Sequence, residues 1–178
     1  LKWPKSPLGK LSNVPQSIDM VGLVNGVIEG FKPIAGSKSI SLKLDSAVES
    51  VHVTVEIEMI KSVVRNLISN AIKFSHKDTA VVVHVRVQEV ADENRTEAGN
   101  DKEVLVTVSD SGCGIKKEDQ EKLLNEATHF TTFGTDSEEG SGLGLLLCKD
   151  FVSKNHGRLW FTSEEGVGSN FNFTIPLK

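Results

Sequence analysis

Three polar side chains form a helical row within residues 66–74, NLISNAIKF. Asn66, Asn70 and Lys73 are spaced i, i+4 and i+7, so a helix places them on one face. An Asn carbonyl oxygen is a ligand of the kind that Mg²⁺ takes, and a lysine ammonium can reach a phosphate as a point charge. A separate apolar stripe predicts that the same helix packs on a core; it consists of Ile57, Ile60, Val64, Leu67, Ala71 and Phe74.

Three glycine-containing segments follow this helix. Asp110 ends a strand pattern and opens a turn with Gly112 and Gly114, where glycine permits a sharp bend and close approach to a ligand. Residues 140–145, GSGLGL, open a helix whose first free N–H groups favour an anion. Their spacing differs from GxGxxG, no strand runs directly into them and no Gly-Lys-Ser/Thr follows, which excludes a dinucleotide fold and a Walker loop. Residues 166–169, GVGS, predict a hairpin turn.

These four segments, in this order, resemble the N, G1, G2 and G3 boxes of the GHKL ATP-binding superfamily. Within it the chain resembles the catalytic domain of bacterial sensor histidine kinases, over nearly all of residues 20–177. The resemblance implies ATP and Mg²⁺ as ligands, catalytic roles for Asn66, Asn70 and Lys73, and Mg²⁺ on Asn70 with Asn66 as a second candidate. The residues implied to bind nucleotide are Asn66, Asn70, Lys73, Phe74, Asp110, Gly112, Gly114, Ile115, Thr132, Gly140, Ser141, Gly142, Leu143, Gly144 and Ser169.

Family roles carry over to individual positions. The carboxylate of Asp110 would accept a hydrogen bond from the adenine amino group, which selects adenine over guanine. In ATP-hydrolysing relatives a Glu at the position of Asn66 activates water, and an amide cannot take a proton. Asn66 therefore favours a phosphotransferase over a hydrolase. Phe74 is compatible both with plain core and with the adenine pocket.

Residues 127–139 lack a clean period and correspond to the ATP lid of the family. Thr132 lies in this stretch, and either Phe130 or Phe133 is the F-box aromatic; the sequence does not choose between them. A lid that orders over nucleotide would exclude water from the transfer step.

The 178 residues suggest one domain, with residues 19–178 as the catalytic domain. Residues 1–18 carry Pro4, Pro7 and Pro15 and predict a linker that follows the end of an upstream dimerisation helix. The first residue is Leu1, which suggests a fragment of a longer protein. A net charge of −4 argues against nucleic-acid binding. The two cysteines, Cys113 and Cys148, lack zinc-ligand spacing and are expected to be reduced thiols.

Hydrophobic periodicity predicts an α/β (α+β) two-layer sandwich, with a mixed, mostly antiparallel sheet of about five or more strands on about three helices. The resemblance implies that this sandwich is the GHKL or Bergerat-type ATPase fold. Helices are expected near 19–36, capped by Ser17 and ended by Gly36, and over 56–75, 116–125 and 142–155. In the last of these, Leu147, Cys148, Phe151 and Val152 are expected to face the core. Strands are expected near 39–44, 50–54, 81–87, 104–108, 159–162 and 170–177. The 81–87 and 104–108 strands should form one hairpin, and the last two strands another.

The phosphoacceptor is predicted to lie outside this chain. None of the histidines stands in a His-Glu/Asp-x-x-x-Pro pattern; they are His52, His76, His84, His129 and His156. The resemblance then implies γ-phosphoryl transfer to a His on a dimerisation domain upstream, a response regulator as the next acceptor, and a homodimeric full-length protein. This domain is expected to be cytoplasmic, with any inner-membrane anchor elsewhere. A serine kinase of the anti-sigma type, a GHKL ATPase and a non-catalytic docking module are alternatives.

Overall fold

The computed structural model describes residues 14–95, 101–123 and 143–177, which form both helices and strands. In these ranges no helix is both long enough and apolar enough to cross a membrane. In chain order, the elements are β1 (Gln16–Asp19), α1 (Met20–Ser37), β2 (Ser41–Ser46), β3 (His52–Val55), α2 (Ile57–Phe74), β4 (Ala80–Glu89), a 3-10 turn (Asp92–Asn94), β5 (Lys102–Asp110), α3 (Lys117–Leu123), α4 (Leu143–Lys154), β6 (Leu159–Glu164) and β7 (Gly168–Pro176).

Five strands form the main sheet in the order β2-β4-β5-β7-β6. Only the β2–β4 pair is parallel; β4–β5, β5–β7 and β6–β7 are antiparallel. Both predicted hairpins are therefore confirmed. Alternate residues of the central strands face the helices, which lie on that side of the sheet, so the predicted two-layer sandwich of mixed, mostly antiparallel character is confirmed.

Helix α2 is the centre of the helical layer and contacts α1, α4, β4 and β5. Its buried face carries seven apolar residues: Ile60, Val63, Val64, Leu67, Ile68, Ala71 and Ile72. Opposite them in the core lie the inward residues of the sheet, such as Val83, Val106 and Phe173, each fully buried. Each such side chain contributes about 1.5–3 kcal/mol when withdrawn from water. The polar row of α2 is therefore held in place by a buried face on the same helix.

The start of the domain differs from the prediction. Residues 16–18 do not form a linker but pair, as β1, antiparallel to β3. Ser17 lies within that strand, and the N-cap of α1 is Asp19, whose carboxylate accepts hydrogen bonds from the backbone N–H groups of Val21 and Gly22. The same carboxylate also accepts from Val51 N–H at 2.9 Å, so tertiary pairing favours Asp19 over Ser17 as the cap.

Two further local predictions need correction. Helix α1 does not end at Gly36 but continues to Ser37, and the left-handed residue that follows is Ser39, with φ of 59°. In α4, Leu147 does not face the core, because the residue is 45% exposed, whereas Leu145, Cys148 and Val152 are buried. The helical period is compatible with either Leu145 or Leu147 on the buried face. The packing of α4 against α2 decides between them.

Candidate functional site

A cavity of about 300 Å³ lies where α2 faces the β5–α3 turn, the first turn of α4 and the β6–β7 hairpin. Volumes near this are typical of small-molecule sites. Its lining residues are Asn66, Asn70, Lys73, Phe74, Asp110, Cys113, Gly114, Ile115, Lys116, Asp119, Leu123, Gly144, Leu145, Glu165, Ser169 and Phe171.

One wall of the cavity is the polar row of α2. Asn66 donates through its side-chain Nδ2 to the carbonyl oxygen of Ser62 at 2.9 Å, which turns its Oδ1 away from that carbonyl. A Cβ placed on Gly144 would lie 2.9 Å from the Oδ1 atom of Asn66, so the first turn of α4 passes directly over that atom. The Lys73 Nζ lies 5.2 Å from the ring centroid of Phe74, a cation–π distance. This wall therefore presents amide oxygen, ammonium and aromatic ring in that order along the helix.

Asp110 forms the polar floor at the end of β5. It is only 8% exposed, and its Oδ1 accepts the backbone N–H of Gly112 at 2.9 Å. Burial raises the pKa of this carboxyl because the charged form loses water, while backbone N–H groups of Gly112 and Ser169 act in the opposite direction. A buried carboxylate that lines a cavity is an acceptor placed for a ligand donor.

Two glycines of the β5–α3 turn are required by close backbone packing. A Cβ on Gly112 would lie 2.1 Å from the carbonyl oxygen of Phe74, and one on Gly114 would lie 2.1 Å from that of Glu164. Gly114 also has a positive φ of 68°, which disfavours other residues. The turn is thereby held between the end of α2 and the β6–β7 hairpin.

A second set of hydrogen bonds ties the same turn to the hairpin. Ser163 Oγ accepts the backbone N–H of Ile115 at 2.8 Å and lies 2.7 Å from the Ser169 hydroxyl. Gln120 Nε2, on α3, donates to the carbonyl oxygens of both Ile115 and Ser163. Ser169 therefore takes its position in the cavity from a network that includes α3, not from the hairpin turn alone.

The structure brings together nine of the residues predicted for the site. Gly112 does not line the cavity but supports it from behind, against Phe74. Thr132, Gly140, Ser141 and Gly142 lie outside the described residues, as do both F-box candidates, and Leu143 is described only as the first residue of α4. The nine that line the cavity are Asn66, Asn70, Lys73, Phe74, Asp110, Gly114, Ile115, Gly144 and Ser169.

Sequence reasoning missed seven lining residues. Cys113 and Leu145 stand inside the motif segments and could have been included on that ground. Nothing in the local pattern marks the others, because folding brings them to the cavity from α3, from the residue before it and from β6–β7. The seven are Cys113, Lys116, Asp119, Leu123, Leu145, Glu165 and Phe171.

The two cysteines lie in different surroundings. Cys113 is half-buried in the cavity wall, and burial together with the charge of Asp110 raises the pKa of its thiol. Cys148, on the buried face of α4, lies in the core, where burial raises the pKa of its thiol to about 12. Within the described ranges no group of three or more His, Cys, Asp or Glu side chains could hold a metal ion.

Known proteins resemble this chain along most of its length. The chain is 33% identical to the sensor protein EvgS of Escherichia coli K12 over 92% of this chain and 13% of that protein. It is 33% identical to the adaptive-response sensory kinase SasA of Synechococcus strain JA-2-3B'a(2-13) over 88% of this chain and 38% of that protein. The chain thus spans well under half the length of these curated relatives.

Solved structures show the same fold. The catalytic domain of the histidine kinase ThkA superposes with a TM-score of 0.71 at 24% identity, covering 92% of this chain and 95% of that one. A family model described as histidine kinase-, DNA gyrase B- and HSP90-like ATPase matches residues 55–178, the part of the chain that carries all four motif segments. The chain belongs to this family of ATPases, and the cavity lined by Asn66, Asn70 and Asp110 lies within the matched region.

Proposed function

We propose that this chain is the ATP-binding catalytic domain of a two-component sensor histidine kinase. It binds Mg²⁺-ATP in the cavity and transfers the γ-phosphoryl group to a histidine on a separate dimerisation domain. Its sequence relatives EvgS and SasA are a sensor protein and a sensory kinase. Catalysis of this kind consists mainly of positioning and charge stabilisation, for which an amide and ammonium wall is suited.

The observation that carries this proposal is the chemistry of Asn66. A family member that hydrolyses ATP with a side-chain base needs, at the position of Asn66, a group that can accept a proton from water. Asn66 uses its Nδ2 on Ser62, and its remaining oxygen can bind a cation or a donor but cannot take a proton. The cavity-lining residues of α2 are Asn66, Asn70, Lys73 and Phe74, so this helix brings no carboxylate to the cavity. The γ-phosphoryl group is therefore kept for an acceptor other than water.

The nucleotide orientation follows from the two ends of the cavity. Asp110 lies beside Phe74 and the β6–β7 hairpin, where a buried acceptor and an aromatic ring suit the adenine amino group and ring. Asn66 faces the first turn of α4, whose backbone N–H groups suit phosphate oxygens. The triphosphate then lies along Lys73 and Asn70. The predicted nucleotide contacts of Thr132, Gly140, Ser141 and Gly142 belong to this proposal as well.

The residues fit a Mg²⁺ ion that arrives with the nucleotide. Such an ion keeps most of its ligands from phosphate and water and takes only one or two from protein. The described residues hold no three-carboxylate cage, and two amide oxygens on one helix face supply the protein share. Asn70 is the proposed ligand, with Asn66 as the second candidate. When bound, the ion neutralises charge that develops on the β- and γ-phosphates.

The acceptor and partners lie outside this domain. None of the four described histidines, His52, His76, His84 and His156, lines the cavity. ThkA, whose catalytic domain shares this fold, has been crystallised with the response regulator protein TrrA. We propose that a response regulator likewise takes the phosphoryl group here, after a histidine on an upstream domain of a homodimeric, cytoplasmically oriented kinase.

Titration of the domain with ATP, with and without Mg²⁺, tests the proposal. We expect Mg²⁺ to strengthen ATP binding. In Asn70→Ala, the increase in affinity that Mg²⁺ causes should be smaller by a factor of about ten or more, which corresponds to about 1.4 kcal/mol. The matched control is Asn25→Ala, which removes the same amide from the exposed face of α1. A wild-type protein that binds no ATP, or binds it equally without Mg²⁺, would contradict the site.

A second assay separates the kinase from the hydrolase. Wild-type protein mixed with Mg²⁺-ATP should release inorganic phosphate slowly, because the cavity wall on α2 has no base. Adding a fragment that contains the upstream histidine domain should instead give an acid-labile phosphohistidine. Rapid phosphate release by the isolated domain would favour the ATPase alternative, and phosphoserine on an added substrate would favour the anti-sigma type of kinase.

A further inference from the structure

We propose that Lys38 is a positioning residue for the nucleotide site. Its ammonium holds the last turn of α2, which carries Lys73 and Phe74 into the cavity wall. Lys38 does not itself line the cavity, so it acts through these two residues. The inference rests on the proposed nucleotide function of the cavity.

Lys38 binds the end of α2 directly. Its Nζ donates to the carbonyl oxygens of Ile72 at 3.0 Å and Lys73 at 2.8 Å. The last carbonyls of a helix have no partner within the helix and carry its negative dipole end. An ammonium placed there satisfies two of them and interacts favourably with the dipole. Lys38 is only 8% exposed, and a cation is tolerated at that burial when its N–H groups are paired.

The other carbonyls of the same helix end have different partners. Ser75 Oγ donates to Ala71 O at 2.6 Å, and Cys113 N–H, from the β5–α3 turn, donates to Phe74 O at 3.1 Å. Together with Lys38 these bonds give a partner to each of the last four carbonyls of α2. The end of the helix is thus joined on one side to α1 and on the other to the turn that carries Asp110.

The position of Lys38 is set by the end of α1, not by the cavity. It is the C-cap residue, and its own N–H donates to the carbonyl oxygens of Ala35 and Gly36. Ser39, with φ of 59°, then turns the chain so that Ile40 N–H reaches Ala35 O at 2.8 Å. The side chain therefore starts from a fixed backbone and reaches α2 across the interface between the two helices.

Loss of this ammonium should be felt in the site. Without it, the Lys73 carbonyl loses this donor and the Ile72 carbonyl keeps the Ser75 N–H at 3.3 Å, so the last turn of α2 can fray. The Lys73 ammonium and the Phe74 ring, 5.2 Å apart, are side chains of that same turn. Small displacements of binding groups are known to cost large factors in function. We therefore expect Lys38→Met to weaken Mg²⁺-ATP binding by about tenfold or more.

The control separates this role from a general loss of stability. Asp19→Ala removes a cap from the opposite end of α1, roughly 27 Å away for an 18-residue helix. It should lower the melting temperature while leaving the nucleotide dissociation constant within about twofold of wild type. All variants are titrated with Mg²⁺-ATP and with adenosine, well below the lowest melting temperature of the series. Lys38→Arg should recover most of the affinity, because it restores a cationic donor.

The outcomes are distinguishable. Wild-type affinity in folded Lys38→Met would overturn the positioning role while leaving the proposed function intact. Failure of wild type itself to bind ATP would instead overturn the proposed function. If Lys38→Met does not fold, Lys38→Leu, which is also uncharged and has no donor, decides the question: affinity lost and then regained in Lys38→Arg supports the role, and unchanged affinity contradicts it.

Discussion

Replacing Asp110 with Asn should separate nucleotide recognition from folding. Asn keeps an oxygen for the Gly112 N–H, now accepted at 2.9 Å, but puts an NH₂ group in place of the other carboxylate oxygen. In the proposed pose that oxygen accepts a hydrogen bond from the adenine amino group, so the variant sets donor against donor. A hydrogen bond to a charged group contributes about 1.5–3 kcal/mol. We therefore expect Asp110→Asn to weaken Mg²⁺-ATP binding by roughly 10- to 150-fold.

Although Asp110→Asn should weaken nucleotide binding, it should maintain or raise the stability of the folded protein. Burial raises the pKa of Asp110 above its ordinary value of 3.8, because the folded protein disfavours the charged form. Between 3.8 and that raised pKa the folded state binds more protons than the unfolded chain, so the free energy of unfolding falls as pH rises through this window. The loss persists at neutral pH. Asn does not ionise and so escapes the cost of burying a charge, which is the largest effect on this carboxyl and outweighs the Gly112 and Ser169 N–H groups. The variant should therefore lack this dependence and match or exceed wild-type stability at pH about 7.

Calorimetric titration with ATP and GTP, combined with thermal unfolding at acidic and neutral pH, checks both halves of this prediction. The variant should also lose discrimination against GTP, because its NH₂ can face the guanine carbonyl. Asp45→Asn, on an exposed carboxylate of β2, is the matched control and should leave nucleotide binding unchanged. ATP affinity within about twofold of wild type in Asp110→Asn would refute the adenine contact. A large fall in melting temperature at neutral pH would refute the stability argument.

Two further predictions concern the cavity. Iodoacetamide should modify Cys113 and spare the core thiol of Cys148, as peptide mass spectrometry can measure. The rate of Cys113 modification should increase as pH rises towards the raised pKa of this thiol, and bound Mg²⁺-ATP should protect Cys113 from modification. Equal rates with and without nucleotide would place the ligand away from this turn. Gly112→Ala should destabilise the protein by more than about 2 kcal/mol, because its Cβ would lie 2.1 Å from the carbonyl oxygen of Phe74. Gly26→Ala, on the open face of α1, should instead stabilise by about 0.5–1 kcal/mol, and thermal unfolding that fails to separate the two would contradict the packing argument.

Local patterns predicted most elements because the relevant signal was local. Helix α2 follows from its apolar period alone, and the alternating valines of β4 and β5 define strands with one buried face. The errors have a common cause. Ser17 and Asp19 are both good cap residues, and Leu147 and Leu145 both fit a helical stripe. In each case a partner distant in sequence makes the choice, such as Val51 N–H for Asp19.

The predicted site residues that line one cavity are those that a motif names directly. Asn66, Asn70 and Lys73 share a helix face by spacing, and their types alone suggest a metal ion and a phosphate. The motif could not show that Gly112 supports the back of Phe74, nor that Ser163 and Gln120 hold Ser169 in place. Apart from the Ser163–Ser169 contact within one hairpin, those contacts join segments about 40 residues apart or more, and no local pattern encodes such a distance.

What the sequence by itself determined is the chemistry available: oxygen ligands without a base on α2, a carboxylate at a strand end, and glycines where backbone must bend. These properties belong to residue types and short spacings, which do not change on folding. Only the tertiary structure decided which of these groups share one cavity, that Asp110 is buried and has a raised pKa, and that Lys38 reaches the end of α2. Burial and long-range contact are properties of the packed chain, because both depend on which distant segments exclude water from each other.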